Sequence, residues 1–129
     1  TVGALDKAIT LEPYYSDYIN RGLAYYNQYQ YTLAEADFTK ALELNPAEAS
    51  VWNNIGLIKL EQGNYDSALL LIEKAMRLAG DQDFYINNKG FCLLKMGEGE
   101  EALRLINQAI AKNPANYWAL RNKGFYYYT

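Results

Sequence analysis

The chain repeats itself every 34 residues, and this period constrains its fold more than any other feature. Gly22, Gly56, Gly90 and Gly124 fall on it, with Asn20, Asn54, Asn88 and Asn122 each two residues earlier. Ala34, Ala68 and Ala102 keep the same interval, as do Ala41, Ala75 and Ala109, while Phe38, Ile72 and Ile106 hold one apolar position between them. Pro46 and Pro114 stand two periods apart, with Gly80 in the place between. A fixed period of this length marks a stack of small similar units, each unable to bury its apolar face alone and each covered by the next.

Each unit reads as two helices. Counting slots from Tyr15, slots 4, 8 and 11 follow the i, i+4, i+7 spacing of one helix face, and slots 20, 24 and 27 do the same on a second. Slot 4 is Tyr18, Trp52, Ile86 and Leu120; slot 8 is always Gly; slot 11 is Tyr25, Lys59, Leu93 and Tyr127. A Gly inside a helix costs up to about 1 kcal/mol, so its regular use predicts that two helix backbones meet there, with the slot-20 Ala small for the same reason. The spacing predicts helices at roughly 1–12, 16–28, 32–45, 49–62, 65–78, 83–96, 99–112 and 117–129, joined by the short connections of antiparallel neighbours. Thr32 and Glu35 have the spacing of a capping box at the start of a second helix, and Pro46 and Pro114 mark breaks between hairpins.

These residues resemble the tetratricopeptide repeat family, and the likeness runs over essentially the whole chain. The resemblance implies an all-α fold, an α-solenoid of antiparallel helical hairpins wound into a right-handed superhelix, with the first helix of each hairpin on the concave side. Full repeats would occupy 15–48, 49–82 and 83–116, with 1–14 the second helix of a truncated repeat and 117–129 the first helix of another. Three departures stand out. Slot 7, Leu in the family, is Arg21, Lys89 and Lys123, with only Ile55 conforming, so long stems must snorkel there. Lys59 breaks slot 11, and the turn after Pro13 is one residue short.

Composition narrows the function. The net charge is −3 and the pI about 4.9, an acidic balance that disfavours nucleic acid, and with it the helical-hairpin RNA readers of similar period. No apolar run is long enough for a membrane helix. The chain has no histidine, which removes His-based general bases, Ser–His or Cys–His nucleophiles and His-ligated metals from these residues. Cys92 is the only cysteine and falls beside the hairpin contact, where it reads as a small buried hydrophobe. The run Gly97–Glu98–Gly99 follows a helix, not a strand, and reads as a turn rather than a phosphate loop. No catalytic residue, metal or cofactor is expected.

The resemblance also implies a groove lined by the first helices. Its slot 6 is Asn20, Asn54, Asn88 and Asn122; slot 5 is Ile19, Asn53, Asn87 and Arg121; slot 9 is Leu23, Leu57, Phe91 and Phe125; slot 2 ends in Phe84 and Trp118. A primary amide can hold both polar groups of a peptide unit, and many relatives grip extended peptides with such an asparagine ladder. Four amides about 10 Å apart would span about nine ligand residues. The row reads equally as a polar groove wall, and slot 9 as ordinary packing. Relatives that clamp acidic chaperone tails use several groove Lys and Arg; here slot 2 has no Lys and only Arg121 is basic at slot 5, so that specificity is not expected.

The expected function is a protein-interaction scaffold that binds a protein or peptide segment. The alternatives are a structural module that assembles head-to-tail, or the targeting arm of a larger enzyme. The ends bear on these alternatives. Residues 1–12 read as a second helix without its first, with Leu5, Ala8 and Leu11 in its apolar slots. Tyr127 fits a slot that faces a second helix. The two ends are complementary, as in a head-to-tail contact or in a piece of a longer chain.

Overall fold

The structure, a computed structural model, describes residues 14–128. Seven helices follow in order: α1 (Tyr15–Asn27), α2 (Tyr31–Leu44), α3 (Ala49–Glu61), α4 (Tyr65–Ala79), α5 (Asp83–Lys95), α6 (Gly99–Lys112) and α7 (Tyr117–Tyr128). There is no strand among the described residues. The helix expected over 1–12 lies outside them. The other seven begin and end within about a residue of the periodicity's expectation.

α1 with α2, α3 with α4 and α5 with α6 make the most extensive contacts, so each pair is a hairpin. The hairpins stack in sequence, α2 on α3, α4 on α5 and α6 on α7; α3 also touches α5, and α5 touches α7. The result is an α-solenoid.

The glycine slot does what its spacing predicts. A Cβ on Gly22 would lie 2.6 Å from Phe38 Cε1, on Gly56 3.0 Å from Ile72 Cγ1, and on Gly90 2.9 Å from Ile106 Cγ1. Those slot-24 side chains, with the Ala pairs at slots 20 and 27, are fully enclosed and form the core.

Each hairpin turn ends its first helix in the same way. The N–H groups of Gln30, Asn64 and Glu98 donate to the carbonyls of Tyr25, Lys59 and Leu93 at 2.9, 2.8 and 2.9 Å, the long bond of a Schellman motif. That motif needs a left-handed residue just past the helix. Gly63 (φ 79°) and Gly97 (φ 85°) supply it without strain, whereas the first hairpin uses Tyr29 at φ 61°.

The capping box at Thr32 and Glu35 does not form. α2 starts one residue earlier, with Gln30 at its N-cap and no side-chain capping bond, so Thr32 already lies inside the first turn. Glu35 instead pairs with Lys59 at 2.9 Å. Three of the basic departures, Arg21, Lys59 and Lys89, find a carboxylate on another helix. Arg21 grips Asp37 in a bidentate pair at 2.7 and 2.5 Å, where the next hairpin packs Ile55 with Leu71. Lys59–Glu35 stands where the following joint has Leu93 and Leu69. Lys89 reaches back to Glu73 at 3.2 Å.

Candidate functional site

Slots 2, 5, 6 and 9 share one face of each first helix, α1, α3, α5 and α7, by their i, i+3, i+4, i+7 spacing, and amide bonds join that face of α3 to α5 and of α5 to α7. Leu23, Phe84, Trp118 and Phe125 are exposed there, with Leu57 and Phe91 half-buried between them. The aromatic end is also cationic. The Arg121 guanidinium lies 4.4 Å from the Trp118 ring and 5.2 Å from Phe125, and the Lys95 ammonium 5.4 Å from Phe91, distances that suit cation–π attraction.

The amides divide into two kinds. Asn88 Nδ2 donates to Asn53 Oδ1 at 3.0 Å, and Asn122 Nδ2 donates to Asn87 Oδ1 at 3.0 Å. Slot 6 of one first helix is therefore tied to slot 5 of the preceding one. Asn53, Asn87 and Asn122 are buried in these joints, and Asn122 Oδ1 is enclosed without a hydrogen-bond partner. Asn54 has no such tie, because slot 5 of α1 is Ile19, which offers no acceptor. Its half-buried side chain has no hydrogen-bond partner among the described residues. Asn20 is exposed. Sequence reasoning read these residues as lining a groove and did not foresee the slot-5 to slot-6 bond. The signal was present in the consecutive pairs Asn53–Asn54 and Asn87–Asn88, repeated one period apart.

Other polar groups brace the stack. Asp83, at the start of α5, accepts from Asn116 Nδ2 at 2.8 Å and from Asn113 Nδ2 at 3.3 Å, tying the turn before α7 to α5. Tyr26 packs beside Tyr31 with ring centroids 5.5 Å apart. Burial, then the Glu61 carboxylate, push its phenol up to about 12.

Cys92 is buried, and its thiol donates to the Tyr65 carbonyl at 3.1 Å. Burial, reinforced by Asp66 and Glu73, pushes it up to about 11, the opposite of what a nucleophile needs. Among the expected self-association residues, Tyr127 is exposed on α7, while Leu5 and Ala8 lie outside the described residues. No described helix is long and apolar enough to cross a membrane.

Two family models, each described as tetratricopeptide repeat, match residues 19–83 and 59–124. Comparison with curated protein sequences gives no match. Among solved structures, the chain is similar to YrrB, a tetratricopeptide repeat protein with an unusual peptide-binding site. The TM-score is 0.83 at 24% identity, over 98% of this chain and 66% of that one. It is similar to the first repeat domain of Spaghetti (RPAP3) bound to the HSP90 peptide SRMEEVD, with a TM-score of 0.79 at 17% identity over 88% of this chain and 90% of that one. It is also similar to MamA, with a TM-score of 0.82 at 18% identity over 98% and 75%. At these identities the likeness is one of fold, and the chain spans about two thirds of the YrrB chain.

Proposed function

The chain belongs to the tetratricopeptide repeat family, and on that premise we propose that it is a protein-interaction scaffold that takes an extended partner segment along its first helices. Its repeats on this reading are 15–48, 49–82 and 83–116. The observation that carries it is the partly exposed row of Leu23, Leu57, Phe91 and Phe125, flanked by Phe84 and Trp118. Apolar surface gathered on one side of a stack marks an interaction site.

The groups have separate roles. Asn54 offers both arms of its amide to one peptide unit of the ligand, and Asn20 does the same at the edge. Asn88 keeps its carbonyl oxygen, its amide nitrogen being engaged by Asn53. Asn53, Asn87 and Asn122 set the wall from within, and Arg121 presents a stacked cation at the α7 end. The aromatic and aliphatic row supplies most of the affinity by burying ligand side chains.

Support comes from the peptide named with the RPAP3 domain and the peptide-binding site named for YrrB. Tetratricopeptide repeats are generally non-catalytic interaction modules, and the raised thiol of Cys92 is consistent with that role here. The acidic net charge favours a protein partner over nucleic acid.

The test is calorimetry against a partner segment found by peptide-array mapping. Asn54→Ala should weaken binding roughly tenfold, at about 0.5–1.5 kcal/mol for each lost hydrogen bond, without lowering the unfolding midpoint appreciably, whereas Asn88→Ala should also lower the midpoint because buried Asn53 loses its donor. Unchanged affinity removes the amides from the reading. Unchanged affinity in Phe91→Ala with Phe125→Ala removes the face itself.

A further inference from the structure

The chain places several of its own cations against its aromatic rings: Arg21 beside Tyr18 and Tyr25, Lys74 over Trp52 and Lys95 over Phe91. One aromatic cluster lacks such a cover. Tyr26 near the end of α1, Tyr29 in the turn and Tyr31 at the start of α2 come together without stacking. The Tyr26 and Tyr31 ring centroids are 5.5 Å apart with planes at 53°, and those of Tyr29 and Tyr31 are 6.3 Å apart with planes at 86°. No Lys or Arg lies over any of the three among the described residues.

A carboxylate stands beside this cluster. Tyr26 and Tyr31 pack against the core that holds Ile58 of α3, and Glu61 follows Ile58 by three residues on the same side of that helix. Burial, then Glu61, raise the Tyr31 phenol as they raise that of Tyr26, so both rings stay neutral and both feel the carboxylate. Glu61 is exposed and has no ion pair or hydrogen bond among the described residues. The cations nearest in sequence are engaged elsewhere, Lys59 by Glu35 and Arg21 by Asp37. Glu61 is also the last residue of α3, at the negative end of the helix dipole, where an acid is unfavourable and a cation favourable. One period later the same place holds Lys95.

We propose that Tyr26, Tyr29, Tyr31 and Glu61 form a subsite for one cationic side chain, a lysine or arginine of a partner protein. The charge lies against the phenol rings, whose faces attract cations, and its N–H groups donate to the Glu61 carboxylate and relieve the acid at the helix end. The acidic net charge of the chain draws such a partner in. Glu61 continues the line of Asn54 and Leu57 along α3 at i, i+3, i+7 spacing, so a segment crossing α3 reaches it. The subsite stands whether or not that segment grips the amides.

Titration of the 129-residue chain with N-acetyl-lysine methylamide, followed by nuclear magnetic resonance, tests this. The ring signals of Tyr26, Tyr29 and Tyr31 and the Glu61 amide should shift together and saturate at tens of millimolar or below. The norleucine analogue, uncharged and of similar length, should leave them in place. Glu61→Gln and Tyr29→Gly should each weaken binding about threefold, with the helical circular-dichroism signal retained because both side chains are exposed. Asn54→Ala should leave this titration unchanged, which tests the subsite apart from the amide row. Shifts that never saturate, or that the norleucine analogue reproduces, overturn the proposal. So does a Glu61→Gln chain that binds the lysine probe as tightly as wild type.

Discussion

Between α1 and α3 the facing slots hold Ile19 and Asn54. Between α3 and α5 they hold Asn53 and Asn88, and between α5 and α7 they hold Asn87 and Asn122, each pair joined by a 3.0 Å amide bond. α3 touches α5 and α5 touches α7, whereas no amide bond of this kind joins α1 to α3 among the described residues. The first joint buries an apolar cluster, Phe38 and Ala41 of α2 with Val51, Ile55 and Ile58 of α3, and adds the Lys59–Glu35 pair, whose side chains are a quarter to a third exposed; partly exposed ion pairs contribute little. One scaffold thus uses the same amide slot in two ways. Where slot 5 supplies an acceptor, the amide locks neighbouring helices. Where slot 5 is Ile, the lock is missing and the amide is free for something else.

Four experiments would break or sharpen this contrast. The largest effect should come from Arg21→Ala, which leaves the Asp37 carboxylate, 6% exposed, without its bidentate partner. Urea unfolding should show a loss of about 3 kcal/mol. Arg21→Leu with Asp37→Leu, copying Ile55 and Leu71, should recover most of it. Next, Asn87→Leu should cost about 2 kcal/mol, because Asn122 then has both amide arms buried and unbonded. Asn54→Leu at the first joint should stay within about 0.5 kcal/mol of wild type; equal losses at the two positions would end the distinction between the joints.

Third, native-state hydrogen exchange should open α1 and α2 at about 1 kcal/mol less than α5 and α6, roughly the value of one net hydrogen bond. Uniform protection would show that the first joint is as tight as the others. The smallest effect is expected from Tyr29→Gly. Relief of a left-handed non-glycine residue, offset by the added chain freedom of Gly, should raise stability by about 0.5–1 kcal/mol. A loss would show that the Tyr29 ring, set edge-on to Tyr31, matters more than the backbone.

The helices and their pairing were legible in the sequence because they depend on spacing alone. Gly56 and Ile72 announce their contact by recurring one period on as Gly90 and Ile106. The same period picks out the apolar residues of the proposed ligand face, with Leu57 recurring as Phe91 and Phe125. The amide bonds were less so. Asn53 and Asn88 are 35 residues apart, and nothing local to either marks one as acceptor and the other as donor. Thr32 and Glu35 mislead because capping depends on where the helix begins, and a shift of one residue cancels it.

The sequence by itself determined that this chain forms stacked helical hairpins, since a 34-residue period with small and large residues at fixed slots leaves few other ways to bury them. Only the tertiary structure decided what each polar side chain does. Arg21, Lys59 and Lys89 all look like misplaced charges until their carboxylate partners on other helices are seen. Asn54 and Asn88 look alike until the neighbouring helix gives one an acceptor and the other none. Periodicity fixes which residues share a face, but a hydrogen bond or an ion pair is settled by the few ångströms between groups far apart in the chain.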